Sequence, residues 1–456
     1  MLPRHTRRAQ VPSTRPAEYS PKLSPKNDRL RRRRRRQTLA GSHSASFDVV
    51  VAGGGAAGVA AAIGAARAGA RVALLEKTGN LGGAAVSASV LTYCGFFSRR
   101  HELVVAGVGA RFLDVLAEDH LYLTHTSPET GNKVVLLDLE TTKRALDRLV
   151  LESGVEALLH VDVVSADTRD GEVQAITYAH AGSTYSIRAN SFVDATGDGS
   201  LGAASGALMD EAPPHERQAS TMVMRIGGVV EDAQLTGDAV EAAVRGYRSS
   251  TGGDMPRTRG PLVRLPLSRE IMALLVDLDG DMLDPAQHTR AEQLGRLQAL
   301  HYWRALRDGI PGWQDSFLVE TGPTLGIRET RRMVGRERVT KEDVASGRRR
   351  PDVVVARGGW PMESHVGVGR TAYGGIRDDA WFDIPIGATQ SATYANLWAA
   401  GRLICSDSDA YASTRVMGTA FATGHAAGVA AAWQALKGEV DVAGIQATLR
   451  DQDALL

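Results

Sequence analysis

Cysteine is nearly absent from this sequence. Among 456 residues only Cys94 and Cys405 occur, far apart and outside any C-x-x-C spacing. Two such cysteines exclude a sequence-local redox disulfide and a cysteine-based zinc site, and no metal site is predicted. Scarce cysteine is also typical of a reducing compartment, so we expect a cytoplasmic protein.

Long apolar runs are missing as well. No stretch of 18 consecutive apolar residues occurs, and no transmembrane helix is therefore expected. Six consecutive arginines stand at residues 31–36, but no apolar segment follows them, which argues against a secretory or twin-arginine signal.

A large net charge is absent too, although the value of +1 conceals an asymmetry. Residues 1–46 carry 13 Lys/Arg and 2 Asp/Glu, a net of +11, so the rest of the chain has −10. The segment lacks apolar periodicity, which predicts a disordered basic tail over 1–46. It is interpreted as a solvated tail or a non-native upstream start, with a nucleic-acid or membrane-surface arm as the alternative. The acidic body indicates no specific nucleic-acid face.

The most informative motif opens the remaining chain. A Val-rich apolar run over 47–52 predicts a buried strand, which leads into Gly53, Gly55 and Gly58 with G-x-G-x-x-G spacing. The first glycine permits a tight turn, the second lets the backbone approach a pyrophosphate, and the third lets the next helix pack closely. The Ala-rich residues 56–68 predict that helix.

A carboxylate completes the motif. Residues 71–75 predict a second strand that leads to Glu76, 18 residues after Gly58. A carboxylate there accepts hydrogen bonds from a ribose 2′-OH and repels a 2′-phosphate. Strand, helix, second strand and acid together indicate nucleotide binding, and a glycine turn in an unrelated β-α-β unit is the alternative.

A second match to the glycine motif is incomplete. Gly197, Gly199 and Gly202 have the same spacing, but Asp210 and Glu211 follow only eight and nine residues later, with no strand leading to them. A second complete dinucleotide domain is therefore not predicted, and a dedicated NAD(P)H domain is not expected.

Changes in amino-acid composition along the sequence divide the chain into segments. Within the inserted segment a helix is predicted near 289–308, where Leu294, Leu297 and Leu300 have repeated spacing. Near the C-terminus "NLWAAG" predicts a strand and "VMGTAFATGHAAGVAAAWQAL" an Ala/Gly-rich helix. The predicted segments are a tail (1–46), a nucleotide domain in two parts (47–205 and 385–438), an inserted α+β substrate domain (206–384) and a C-terminal extension (439–456).

Several further elements are expected inside these segments. Glycines at 418, 424 and 428 of the last helix permit close backbone packing. A β-meander is indicated by alternating apolar residues, and it precedes a buried strand. The expected elements are helices over 103–119 and 141–153, meander strands over 161–164, 173–178 and 185–189, and a strand over 191–195.

These stretches resemble a known family. The chain is similar to FAD-dependent oxidoreductases of the glutathione-reductase-like superfamily, in particular a bacterial family related in its nucleotide domain to fumarate reductase flavoproteins. The resemblance rests on "DVVVAGGGAAGVAAAIGAARAGARVALLEK", "VDATGDGSLGAASGA", "LGIRETRRMVGRERVTKEDV" and "NLWAAGRLICSDSDAYASTRVMGTAFATGHAAG". It implies an α/β fold in which a discontinuous Rossmann-like FAD-binding domain with a β-meander carries an inserted α+β substrate domain.

The resemblance also implies which residues hold FAD. The turn would cradle the pyrophosphate at a helix N-terminus, Glu76 and Lys77 would hold the adenosine ribose, and Val163 would touch the adenine. The last helix would point its N-terminus at the flavin, where backbone N–H groups stabilise negative charge. The implied set is Gly53, Gly55, Ala56, Ala57, Gly58, Glu76, Lys77, Gly82, Gly83, Val163, Ala195, Thr196, Gly197, Gly401, Arg402, Gly418 and Thr419.

Candidate catalytic residues come from the same resemblance. "GGWPMESH" ends in His365, the candidate acid/base, for which a pKa near neutrality is expected; a structural histidine is the alternative. Arg328 and Arg415 could neutralise a substrate carboxylate or an oxyanion, unless they pair internally, Arg328 with Glu329 or another neighbouring carboxylate. Tyr93 is expected beside the flavin, with core packing as an equal alternative. "FDIPIGAT" lacks the arginine usual in the family, which leaves the substrate open.

The predicted function is hydride transfer between a small organic substrate and flavin N5, with an electron acceptor that the sequence does not name. The alternatives are a fumarate-reductase-like alkene reductase, which would need a clamp for paired carboxylates, and a flavin-binding protein with a structural or nucleic-acid-modifying role. The oligomeric state, a homo-oligomer included, stays open.

Overall fold

The computed structural model describes residues 45–118, 120–128 and 130–456. The predicted basic tail over 1–46 therefore lies outside the described residues, except for its last two positions. Those two residues begin the first strand, which therefore starts slightly earlier than predicted.

Twenty strands are described. They are β1 (Ala45–Ala52), β2 (Val72–Glu76), β3 (Thr92–Tyr93), β4 (Leu123–Thr126), β5 (Lys133–Leu136), β6 (Glu156–Leu159), β7 (Asp162–Arg169), β8 (Glu172–His180), β9 (Ser183–Asp194), β10 (Met209–Asp210), β11 (Ser220–Gly227), β12 (Leu262–Arg264), β13 (Ile271–Leu278), β14 (Phe317–Thr321), β15 (Arg332–Met333), β16 (Val354–Gly358), β17 (Met362–Ser364), β18 (Ala372–Gly374), β19 (Phe382–Pro385) and β20 (Leu397–Ala399).

Eleven α-helices accompany these strands in the described chain. They are α1 (Ala56–Arg67), α2 (Ala84–Ser87), α3 (Val108–Glu118), α4 (Leu139–Ser153), α5 (Ser200–Ser205), α6 (Gly237–Thr251), α7 (Pro285–Gly309), α8 (Lys341–Ser346), α9 (Ser408–Thr414), α10 (Met417–Lys437) and α11 (Val442–Asp451). None of the helices in the described part of the chain is long and apolar enough to span a membrane.

A seven-stranded sheet organises the nucleotide-binding part. Its order is β6-β2-β1-β9-β8-β7, and β20 also pairs with β9. The pairs among β6, β2, β1, β9 and β20 are parallel, whereas β7, β8 and the first half of β9 form the antiparallel meander. The predicted Rossmann-like sheet with a meander is thus confirmed.

Strand β9 is longer than the sequence predicts. The two predicted strands over 185–189 and 191–195 are one continuous strand, because β9 leaves the meander and enters the parallel sheet without a turn. Its register with β1 continues from the pair Ala45–Ile187 to the pair Ala52–Asp194. The prediction of two strands is therefore wrong at this position.

Helices α1 and α10 pack against each other with almost no side chain between them. A Cβ atom at Gly424 would lie 2.1 Å from the carbonyl oxygen of Ala57, and one at Gly428 would lie 2.0 Å from that of Ala61. Real Cβ atoms do not approach backbone this closely, so both positions require glycine. The predicted close packing of the C-terminal helix is confirmed.

A second apolar core lies in the inserted segment. The antiparallel sheet β12-β13-β11-β14 is covered by α7, α6 packs against α7, and residues such as Met222, Val276 and Tyr302 are fully buried there. The predicted helix near 289–308 is α7. Leu294 and Leu297, whose spacing indicated the helix, are 38% and 58% exposed, whereas the buried residues of α7 include Gly295, Ala299 and Tyr302.

Candidate active site

The glycine-rich turn after β1 rests on Glu76. The Gly54 N–H donates to Oε2 of Glu76 at 2.6 Å, and the Thr78 N–H donates to Oε1 at 2.8 Å. The carboxylate is 7% exposed, so these bonds fix it directly under the turn. Each carboxylate oxygen has about two lone pairs, and each keeps capacity to accept a further hydrogen bond, such as one from a ribose hydroxyl.

The N-terminus of α1 is open to an anion. Its N-cap, Gly55, makes no side-chain cap, and the first turn carries no acidic residue. The second glycine loop lies against this turn, because the Gly82 N–H donates to the Gly54 carbonyl at 2.8 Å and a Cβ at Gly83 would be 2.9 Å from the Gly55 Cα. The predicted turn residues are thus brought together around uncapped N–H groups, which suits a pyrophosphate.

The loop after β9 is held by ionic contacts. Ala195 donates its N–H to the Ala52 carbonyl, beside the first turn. Arg402 donates to the Gly197 carbonyl at 3.2 Å and to the Asp198 carboxylate at 3.1 Å, and Lys77 pairs with Asp198 at 3.8 Å. Lys77 and Arg402 therefore stabilise this loop, and their predicted contacts with FAD stay predictions.

The remaining predicted cofactor residues lie near the turn and Glu76. A Cβ at Gly401 would be 3.0 Å from the Cβ of Ala57 in α1. Val163 lies two residues after Val161, whose N–H donates to the Glu76 carbonyl at 3.0 Å. The carboxyl ends of β1 and β2 and the start of β7 thus meet at one edge of the sheet, as a dinucleotide site requires.

The start of α10 contacts the loop over 93–97. The Gly418 N–H donates to the Cys94 carbonyl at 2.7 Å, so one of the helix's N-terminal donors already has a partner. The hydroxyl of Thr419 is buried and has no hydrogen-bond partner among the described residues, and the same holds for Thr414. Buried polar atoms without partners are rare, and here they fit a polar cofactor edge at this helix.

Tyr93 lies in an aromatic cluster. Its ring packs against Phe112 at 5.5 Å and Phe421 at 5.8 Å between ring centroids, and its side chain is fully buried. Burial raises the pKa of its phenol, which makes ionisation unfavourable. Its hydroxyl has no partner in the described structure, but these contacts favour the packing alternative over proton transfer.

His365 is 6% exposed, and both of its ring nitrogens have partners. Nε2 lies 3.2 Å from Oε1 of Glu363, and Nδ1 lies 3.3 Å from Nη2 of Arg257 and 3.2 Å from the Thr371 hydroxyl. A guanidinium can only donate, so Nδ1 is the acceptor and the ring proton resides on Nε2, directed at Glu363. The geometry thus selects one tautomer of a neutral imidazole.

The expected pKa of His365 near neutrality is wrong for this structure. Burial, together with the positive charges of Arg328 and Arg415, lowers the pKa of His365 to about 3, although Glu363 opposes the shift. Burial would raise the pKa of Glu363, but its hydrogen bond and attraction to His365, the charge of Arg415 and the Trp360 N–H lower it to about 2. At neutral pH the pair is a carboxylate beside a neutral imidazole.

Three arginines meet around this pair. Arg257 donates to Oδ2 of Asp277 at 2.9 Å, and Arg328 lies 3.6 Å from Oδ1 of the same carboxylate. The predicted internal pairing of Arg328 therefore occurs, but with Asp277 and not with Glu329. Burial lowers the pKa of Arg328 to about 10 against the attraction of Asp277, and the like charges of Arg415 and Arg257 add to the lowering.

Sequence reasoning missed part of this cluster. Glu363 stands inside the quoted "GGWPMESH", where a carboxylate two residues before His365 in an extended strand lies on the same face. Arg257 and Asp277 carried no such signal, because 108 residues separate Arg257 from His365 and no motif surrounds either residue. Only the fold of the inserted segment brings them together.

Comparison with known proteins bears on the identity of the chain. The family described as FAD dependent oxidoreductase matches residues 48–451. A search of curated proteins found no match. Among solved structures, a geranylgeranyl bacteriochlorophyll reductase-like protein from Thermoplasma acidophilum is 14% identical with a TM-score of 0.48, covering 91% of this chain and 85% of that one.

Two further solved structures are similar to a comparable degree. The p-nitrophenol 4-monooxygenase of Pseudomonas putida is 16% identical with a TM-score of 0.42, covering 89% of this chain and 85% of that one. The anhydrotetracycline hydroxylase of Streptomyces rimosus is 14% identical with a TM-score of 0.43, covering 90% and 69% respectively. On the family match over nearly its whole length, this chain belongs to the FAD dependent oxidoreductases: it is an enzyme, and its cofactor is FAD.

Proposed function

We propose that this enzyme moves a hydride between a small organic substrate and FAD, with reoxidation by oxygen or a separate acceptor. The observation that carries the proposal concerns Cys94. Its carbonyl accepts the Gly418 N–H at the start of α10, and its side chain packs against the apolar cluster of Trp360, whose Nε1–H donates to the Glu363 carboxylate at 2.9 Å. A buried ionic cluster thus adjoins the helix end expected at the flavin, as a reaction centre requires.

The proposed binding of FAD uses the predicted residues. The uncapped N–H groups of α1 would hold the pyrophosphate, the free lone pairs of Glu76 would accept ribose hydroxyls, and the unpartnered Thr419 hydroxyl would face the flavin. When bound, FAD supplies a two-electron acceptor and donor of hydride. The inserted segment, proposed as the substrate domain, contributes Arg257 and Asp277 beside His365.

The Glu363–His365 pair is the proposed site of proton exchange. Removing a hydride from a carbon that bears a hydroxyl or amine also releases a proton, which a base within hydrogen-bond reach must accept. Because Nδ1 of His365 receives the Arg257 N–H and Nε2 already carries the ring proton, the substrate proton would pass to the Glu363 carboxylate, which the Nε2–H of His365 holds in place. A substrate anion near Arg415 would offset the positive charge that lowers the pKa of Glu363, and would make this carboxylate a stronger base.

The test compares His365→Asn with His215→Asn, a matched change at an exposed histidine whose side chain is 80% exposed. Both variants are loaded with FAD and mixed anaerobically with alcohols, amines, carboxylates and NAD(P)H while flavin absorbance is followed. We expect His365→Asn to keep the flavin spectrum and to lose roughly 10²–10⁴-fold in the rate of flavin reduction, the usual worth of a general acid or base. His215→Asn should match the unmodified enzyme.

Two outcomes would count against the proposal. If His365→Asn reduces flavin at the unmodified rate, the histidine is structural and the proton is exchanged elsewhere. If no substrate class bleaches the flavin of a well-folded holoenzyme, a structural role for FAD, the alternative reading of the sequence, is favoured.

A further inference from the structure

The charge balance of the buried cluster carries information about the substrate. Asp277 is 1% exposed and pairs with two arginines at once, with Arg257 at 2.9 Å and Arg328 at 3.6 Å. The Arg328 guanidinium also donates to the Ala219 carbonyl, a neutral acceptor. One carboxylate thus serves two guanidinium groups on this side of the cluster.

Arg415 has no carboxylate of its own. Its Nε donates to Oε1 of Gln218 at 3.1 Å, and its Nη2 donates to the backbone carbonyl of Glu363 at 3.0 Å. Both acceptors are neutral, and within the described residues no carboxylate oxygen lies within 4.0 Å of the Arg415 guanidinium. Arg415 is partly buried, and a cation removed from water in part is less costly when a counter-charge is supplied.

The neighbouring carboxylates are committed elsewhere. The carboxylate of Glu363 accepts one hydrogen bond from Nε2–H of His365 and another from the Trp360 N–H, the latter at 2.9 Å. Glu329 accepts from Arg332 at 2.6 Å and from the Gln218 N–H at 3.1 Å. Three guanidinium groups against Asp277 and Glu363, with a neutral imidazole, leave one positive charge in excess.

A second buried donor belongs to Gln218, the side chain that accepts from Arg415. Nε2 of Gln218 is buried and has no acceptor among the described residues, while Oε1 of the same amide receives the Arg415 Nε–H. An unpartnered donor is therefore part of the same side chain that contacts a guanidinium without an ion-pair partner. Together they offer N–H donors to an anion, and a charged guanidinium donor binds a carboxylate more strongly than a neutral donor does.

We propose that the substrate carries a single negative charge and belongs to the small monocarboxylates, with its carboxylate held by Arg415 and by Nε2 of Gln218. The inference rests on the proposed function, since it names the substrate class of the same site. A dicarboxylate would bring two negative charges to an excess of one and would leave a buried anion without a partner. The paired-carboxylate clamp that a fumarate-reductase-like enzyme needs is therefore not what these charges provide.

The test measures binding and does not depend on turnover. FAD-loaded enzyme is titrated with benzoate and acetate, with the neutral isosteres benzamide and acetamide, and with succinate, and binding is followed by calorimetry and by perturbation of the flavin spectrum. We expect each monocarboxylate to bind at least tenfold more tightly than its amide and more tightly than succinate. Comparable binding of benzamide and benzoate, or tighter binding of succinate, would overturn the inference without any variant.

Variants locate the binding charge. Arg415→Met removes the charge at similar length, and Arg415→Lys keeps the charge without the planar fork. Arg245→Met is the matched control, because the side chain of this α6 arginine is 65% exposed and pairs with Glu241, which is not part of the proposed site. We expect benzoate affinity to fall at least tenfold in Arg415→Met, to fall less in Arg415→Lys and to stay unchanged in Arg245→Met; full affinity in Arg415→Met would refute the assignment.

The outcomes separate this inference from the proposed function. Monocarboxylate binding without flavin reduction by any substrate would leave the anion site intact and would contradict hydride transfer. Flavin reduction by neutral alcohols or amines, in an enzyme that binds no carboxylate, would support hydride transfer and would reject the anion site.

Discussion

The contact between α1 and α10 gives the sharpest prediction for stability. Gly428 lies in the middle of α10, and a Cβ there would be 2.0 Å from the Ala61 carbonyl oxygen, although ordinary contact begins near 3.4 Å. The obstacle is helix backbone, which cannot move aside as a side chain can. Overpacking in a core costs typically about 1–3 kcal/mol, and an obstacle of backbone places Gly428→Ala at the upper end of that range.

Gly246 provides the matched control, because it lies inside α6 and a Cβ there meets nothing within 4 Å. Gly246→Ala should stabilise the protein by roughly 0.5–1 kcal/mol, the usual gain when alanine replaces glycine inside a helix. The same substitution thus has opposite signs at the two positions. Urea unfolding of the apoprotein, compared at constant m-value, measures both.

The packing contact also predicts an effect on FAD. Gly424 faces Ala57, which lies in the first turn of α1, whereas Gly428 faces Ala61, one turn further from the glycine-rich turn. Gly424→Ala should therefore weaken FAD binding more than Gly428→Ala, as read from retention of flavin during dialysis. If Gly428→Ala is as stable as Gly246→Ala, the close approach of the two helices is wrong.

Three further predictions follow from individual residues. Glu76→Ala should weaken FAD retention and lower apoprotein stability by about 2–4 kcal/mol, since the N–H groups of Gly54 and Thr78 lose their acceptor; stoichiometric FMN in the native enzyme would contradict the ribose assignment. NAD(P)H should bleach the flavin slowly under anaerobic conditions, because the second glycine motif is incomplete, and rapid saturable bleaching would refute this. Burial lowers the pKa of His425 to about 4 from 6.5. The unfolded chain therefore binds a proton before the folded protein does, and stability present above pH 6.5 is lost as the pH falls toward 4, a loss of about 3 kcal/mol. His425→Gln should flatten this part of the pH–stability curve, and an unchanged curve would contradict the prediction.

The sequence alone determined the nucleotide-binding part of this protein. The glycines at 53, 55 and 58 and the acid at Glu76 act through local geometry: a turn, a helix start and a strand end at fixed spacing. The glycines of α10 likewise signalled close packing, because a helix repeats its face every three to four residues. Such patterns can be interpreted from sequence because the structure that each one forms involves residues close together in the chain.

The sequence did not determine which faces and charges meet. In α7 the spacing of the leucines predicted the helix, but Leu294 and Leu297 are exposed, and the buried residues are others, among them Gly295 and Tyr302. The state of His365 was likewise decided by distant residues. Arg257 and Asp277 are far from His365 in sequence, and only tertiary folding places Arg257 where it sets the tautomer of the imidazole, and Asp277 where it pairs with Arg257 and Arg328 but not with Arg415. Local spacing fixes local backbone, whereas a buried electrostatic site depends on every charge that the fold brings within a few ångströms.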